Sequence, residues 1–248
     1  PHAGAQVLRG DGDLARHQGD VAHLHRNAEE ADDGRHQPQQ QAQRNVGRPA
    51  GDVLAPVAAP AARALGTQPP RDGLLVSYGA GFADFLAGFA PAAELPYLSA
   101  VARLDRCWTE CHLAADATAV DRQWLAQQTP DTLPQASLRP HPAARWAWCE
   151  EHPAYALWQS HREGLHPNEA LEWTGDGALL TRPHAEVVWH PLPRSGVAFL
   201  DACAAGHPLP EALAHALQAE PDANPSALLA TLAQAGALTL NATQVQTT

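Results

Sequence analysis

The chain contains no Lys, no Ile and no Met, so all 16 of its basic residues are Arg. Absent Lys and Ile beside abundant Ala, Pro and Arg reflect a GC-rich coding sequence. Absent Met reads as a fragment or a miscalled start. No stretch approaches the roughly 18 consecutive apolar residues of a membrane span, and no charged-then-apolar leader opens the chain. Neither a membrane protein nor a secretory signal is expected. Aromatic residues are missing until Tyr78. A stretch that poor in large apolar groups, interrupted by Gln37-Pro38-Gln39-Gln40-Gln41, buries too little area to offset chain entropy. Residues 1–72 therefore read as a low-complexity or misread segment without a fold of its own, and their scattered histidines as part of it.

Cations are scarce as well. The 248 residues carry a net charge of −11. Eight Arg face nine acids in residues 1–72, whereas eight Arg face eighteen acids in 73–248, a net of −10 there. Such a surface repels a phosphate backbone, whose affinity for proteins comes mainly from Lys and Arg. Cysteine is limited to Cys107, Cys111, Cys149 and Cys203, with no CxxC pair. Reduced thiols in a cytoplasmic protein are the expectation, with no cofactor and no metal.

What is present begins at Tyr78. Tyr78, Phe82, Phe85, Leu86 and Phe89 recur at helical spacing and Pro91 ends the run. Leu95, Leu98, Val101, Ala102, Asp105, Trp108, Cys111 and Ala115 predict a longer helix, with Pro96 in its first turn. Residues 121–128 predict a third helix. Residues 143–150 and 152–161 carry Trp146, Trp148, Tyr155, Leu157 and Trp158, read as the core of a small helical domain over 73–163. From 167 to 242 the texture changes. Short runs at 170–173, 178–182 and 186–190 predict a strand meander, and 195–204, 210–219 and 225–234 predict three helices, with a last strand at 236–240. Three strands followed by three short helices is a winged-helix-like order. The expected fold class is α+β, mainly α: an N-terminal helical domain followed by a small winged-helix-like α/β module.

No complete catalytic set accompanies these elements. Cys107, Cys111 and His112 are close in sequence, but on a helix His112 projects about 100° away from Cys111. Glu110 and His112 point to different faces. No nucleophile elbow, phosphate loop or HExxH motif is present, so an enzyme is not expected.

The run Tyr78-Gly79-x-Gly81-Phe82-x-x-Phe85-Leu86, then Leu95-Pro96-Tyr97-Leu98, then Ala102-Arg103-Leu104-Asp105-x-x-Trp108-Thr109-Glu110-x-His112 resembles the HvfC/BufC family, whose members are often labelled DNA-binding-domain proteins. The likeness extends through His141-Pro142 and Tyr155-Ala156-Leu157-Trp158 to Ala198-Phe199-Leu200 and Leu228-Leu229-x-x-Leu232, covering about residues 69–240. It implies a non-catalytic accessory subunit that presents a precursor peptide to a partner multinuclear non-heme iron oxidase. Such oxidases modify cysteines in copper-chelating peptides called bufferins. It also marks Asp105, Trp108, Glu110 and His112 as motif residues. Independently, the order of the C-terminal elements is like that of the peptide-recognition element of peptide-modifying systems, which binds a leader peptide as an added strand.

Two functions remain open at this point. The first is peptide recognition at the strand over 186–190, with Val187 and Trp189 on one side, Val188 on the other, and specificity from a groove beside Leu228 and Leu232. On that reading a Val188→Pro substitution removes an edge donor. The alternative is a DNA-binding transcriptional regulator. It needs a recognition helix rich in Arg, Asn or Gln, and 225–234 contains no Arg.

Overall fold

A computed structural model describes residues 79–165 and 171–241. The expectation for residues 1–72 lies outside the described residues. The fold is α+β and mainly α, with seven α-helices and five short strands among the described residues.

Helix α1 (Phe82–Gly88) carries Phe82 and Phe85, and Phe89 follows at its end. Their rings form a ladder with centroids 6.4 and 4.9 Å apart. A 3-10 turn, Ala90–Ala92, leads to helix α2 (Leu98–Leu113). Pro96 precedes that helix rather than opening its first turn. The Ser99 hydroxyl donates to the Ala83 carbonyl at 2.9 Å and ties α2 to α1. Helix α3 (Arg122–Ala126) is shorter than 121–128 because Asp121 is its cap, accepting from the Trp124 N–H at 2.7 Å.

Strand β1 (Leu138–Pro140) precedes β2 (Arg145–Cys149). The second of these corrects the helical reading of 143–150. Its Trp-Ala-Trp pattern has period two, so the large rings fall on one face of a strand and Arg145, Ala147 and Cys149 on the other. Helix α4 (Ala154–Arg162) follows, then β3 (Asp176–Thr181) and β4 (Val188–Pro191). Residues 171–173 are not strand, so β2 takes the place that the first run of the expected meander would have filled. Helices α5 (Arg194–Ala205), α6 (Leu209–Ala219) and α7 (Pro225–Gln234) match the three expected helices, and β5 (Leu238–Leu240) the last strand.

The strands form an antiparallel sheet of order β2-β3-β4 and a β1-β5 pair. Both join the segment 73–163 to the segment 167–242: Arg145 to Cys149 lie opposite Leu180 to Asp176, and Leu138 lies opposite Leu240. Alternation along β3 then builds two cores. Ala178 and Leu180 pack with Leu104, Cys111, Tyr155 and Trp158 of α2 and α4. Leu179, between them, packs with Phe199, Leu200 and Leu232 of α5 and α7. The sheet is thus the middle of three layers, buried on both faces at its central strand. Five of the six β3 residues are buried, whereas every residue of β2 is only half-buried, as an outer strand should be.

Candidate functional site

The motif residues of α2 fall on two sides of the helix. Asp105 accepts from the indole N–H of Trp158 at 2.9 Å and from Arg162 at 3.1 Å. The Arg162 guanidinium lies 4.1 Å from the centre of the Trp108 ring, and His112 stacks parallel to that ring at 5.3 Å. Trp158 meets Trp189 of β4 edge to face at 5.3 Å, and the Trp189 N–H donates to Glu163 at 3.1 Å. Trp108, Val187 and Trp189 all pack on the same apolar cluster. Asp105, Trp108 and His112 are thereby brought together with Trp189 of β4 and Val187 just before it, which no spacing in the sequence could reveal.

Glu110 lies apart from them. It accepts from Arg106 at 2.7 Å and from Arg145 at 2.9 Å. Burial pushes its carboxyl up, but the hydrogen bonds from the two guanidinium groups outweigh burial and the net direction is down. Burial pushes the Cys107 and Cys111 thiols up to about 11, and the Cys111 thiol donates to the Ala143 carbonyl. Among the described residues no group of three or more His, Cys, Asp or Glu is arranged to hold a metal ion. These side chains hold α2 against the sheet.

Leu228 and Leu232 are buried in the α5–α7 core, on the far face of the sheet from Trp189. They do not form a groove with β4.

The ladder geometry decides which backbone groups are free. The Leu192 N–H donates to the Gly177 carbonyl at 2.9 Å, so Gly177, Leu179 and Thr181 face β4, and Asp176, Ala178 and Leu180 face β2. Val188 and His190 therefore pair inward, and only Trp189 and Pro191 face outward on β4. Pro191 has no N–H, which leaves this edge one donor. The Val188 N–H belongs to the ladder, so Val188→Pro probes the sheet and not its edge. On β2 the outward residues are Trp146 and Trp148, with two donors and two acceptors. No further strand pairs with β2 or β4 in the sheet among the described residues.

Beside β2 lies a half-open cavity of about 670 Å³. Leu86 and Phe89 wall one side, Ala100 and Leu104 of α2 another, and Ala147 and Cys149 of β2 the floor. Tyr155 and Asp176 close the end near α4. Pro153 at the start of α4 has no side-chain acceptor, and Asp176 supplies one from β3, taking the N–H groups of Tyr155 and Ala156 at 2.9 Å each. Burial pushes the Asp176 carboxyl up and the His152 imidazole down. His152 and Trp148 also line the cavity, and each has a buried ring nitrogen without a hydrogen-bond partner among the described residues. The volume is that of a ligand subsite.

No family model matches the chain, and no curated protein matches it.

Proposed function

We propose that this chain is a non-catalytic accessory subunit that binds an extended segment of a precursor peptide and presents it to a partner oxidase. The observation that carries the binding part is the outer edge of β2, where Trp146 and Trp148 turn their backbone groups away from the sheet beside a cavity walled in part by Leu86, Phe89 and Leu104. A peptide added there gains main-chain hydrogen bonds from the edge and side-chain selectivity from the adjoining space. The presenting role rests on the resemblance of residues 69–240 to the HvfC/BufC family. Acid-base groups held in ion pairs and high-pKa thiols suit a subunit that leaves the chemistry to its partner. Peptide recognition is preferred to DNA because the residues α7 leaves exposed, Ser226, Ala227, Thr231 and Gln234, include no cation, and Gln234 is engaged by Arg122 at 2.6 Å.

The test is amide hydrogen exchange of the full chain with and without a short extended peptide of alternating Thr and Leu. Protection of the Trp146 and Trp148 N–H groups is expected. Protection at Trp189 alone would move the site to β4, and binding with neither protected would sink strand addition.

A further inference from the structure

Strand addition at β2 leaves the cavity to be explained, and its position relative to the edge is informative. Successive side chains of an added strand point to opposite faces of the sheet. Those on the face of Arg145, Ala147 and Cys149 point toward α2. There the sheet offers the small residues Ala147 and Ala178, and α2 offers Ala100, which is why space remains. Leu86, Phe89 and Leu104 make the walls apolar.

The charges are one-sided. Three carboxylates, Glu150, Glu151 and Asp176, line the cavity against one guanidinium, Arg103. Arg103 is held by Asp84 at 3.0 Å, Glu150 is bound by Arg194, and Asp176 is engaged with the start of α4. Glu151 is exposed at the rim, its carboxylate 4.0 Å from the imidazole of His152, which burial pushes toward the neutral form.

We infer that this cavity is the anchor subsite of the β2 edge, taking apolar side chains at alternate positions of an extended peptide that carries Arg or Lys beside them. The inference rests on the reading of β2 as the peptide edge. An aliphatic anchor leaves water for Leu86, Phe89 and Leu104, and a flanking cation meets Glu151 and the acidic surface around it. An acidic or purely polar segment is disfavoured on both counts.

The probe is a fluorescent nonapeptide, Arg-Thr-Leu-Thr-Leu-Thr-Leu-Thr-Arg, titrated into the full chain and followed by anisotropy. Its comparators carry Ala for every Leu, or Glu for both Arg. The Leu peptide should bind at least about tenfold tighter than the Ala peptide. Filling the space with Ala100→Phe should erase that preference, and Ala87→Phe, at an exposed lining position of α1, repeats the test should Ala100→Phe fail to fold. Glu151→Arg should weaken the Arg-flanked peptide by about threefold at low salt. Equal binding of Leu and Ala peptides overturns the anchor and leaves the edge standing. A Leu preference that survives the filling variants also overturns the anchor. Equal binding of Arg- and Glu-flanked peptides overturns the charge preference. No binding by any of these peptides removes both the anchor and the edge.

Discussion

Asp105 on α2 and Trp158 on α4 are joined by a 2.9 Å hydrogen bond across 53 residues of chain, the indole N–H donating to the carboxylate. Trp158 is fully buried, so its N–H depends on this acceptor, whereas the Asp105 side chain is 59% exposed. Water can partly replace the carboxylate, and the Arg162 ion pair on the same oxygen is screened. Asp105→Ala should therefore cost about 1 kcal/mol, the low end for a buried donor losing its partner. Asp105→Asn, which keeps an acceptor, should cost less. Urea melts of both variants check the order; a larger loss in Asp105→Asn would mean that the charge, not the acceptor, is what matters.

Glu110 and Asp176 should give opposite contributions to the pH dependence of stability. The folded-state carboxyl of Glu110 is lowered, so its contribution is present above the unfolded pKa of about 4.3 and is lost as pH falls through the folded value. Glu110→Gln should cost about 1 kcal/mol at pH 7, discounted for the half-buried setting, and progressively less in acid. Asp176 is raised by burial, so its contribution is full below the unfolded pKa of about 3.9 and is lost as pH rises through the folded value. Asp176→Asn should compare worst with the parent in acid and improve toward pH 6. Thermal melts across that range would show two difference curves of opposite slope; parallel slopes would refute one assignment.

Burial holds Cys107 and Cys111 at about 11 and Cys203 at about 12. At pH 8 on the order of one in a thousand of the first two is thiolate, too little for rapid alkylation. Cys149, half-buried at the end of β2 beside the cavity, is left as the first site of iodoacetamide labelling in the native chain. Mass spectrometry of peptides from a short reaction should find Cys149 modified and the other three modified only in urea. Early labelling of Cys111 would show that α2 opens away from the sheet.

Duplex DNA should bind weakly and without sequence preference. Residues 73–248 carry eight Arg against eighteen acids, and Leu228, Leu229 and Leu232 of α7 are buried. What α7 leaves exposed, Ser226, Ala227, Thr231 and Gln234, includes no cation. Anisotropy titrations with labelled fragments at physiological salt should show no tight complex, since few phosphates can be neutralised. Nanomolar, site-selective binding would restore the regulator.

Much of the fold was legible because it is written in local periodicity. The α2 stripe and the α7 bounds follow from spacing and from Pro225 and Asn224 at the helix start. The helical expectation for 143–150 fails because Trp146 and Trp148 suit a helical core as well as a strand, and the strand exists only through pairing with β3, some 30 residues on. The site was less legible still. Which N–H groups face outward depends on the phase of the ladder, set by the Leu192–Gly177 bond, and no local pattern encodes it. The cavity arises from alanines contributed by α2, β2 and β3, a residue type that attracts no attention in a chain this rich in it. Pro191 was the one visible sign that β4 is a poor edge for addition.

The two outer strands should respond differently to proline. The Val188 N–H points to Thr181 in the β3–β4 ladder, so Val188→Pro removes an interior bond and leaves the buried Thr181 carbonyl short of a donor. A loss of about 2 kcal/mol or more is expected. Pro191 occupies an exposed, outward position, and replacing it by Thr adds a free donor to the edge without touching the ladder. Stability should change by less than about 0.5 kcal/mol, as for a surface substitution. The gain is instead in edge reactivity: with two outward donors β4 becomes a template for another chain. Sedimentation velocity should show Pro191→Thr more prone to self-association than the parent. A Val188→Pro chain as stable as the parent would invert the assignment of inward and outward residues, and with it the choice of β2 as the peptide edge.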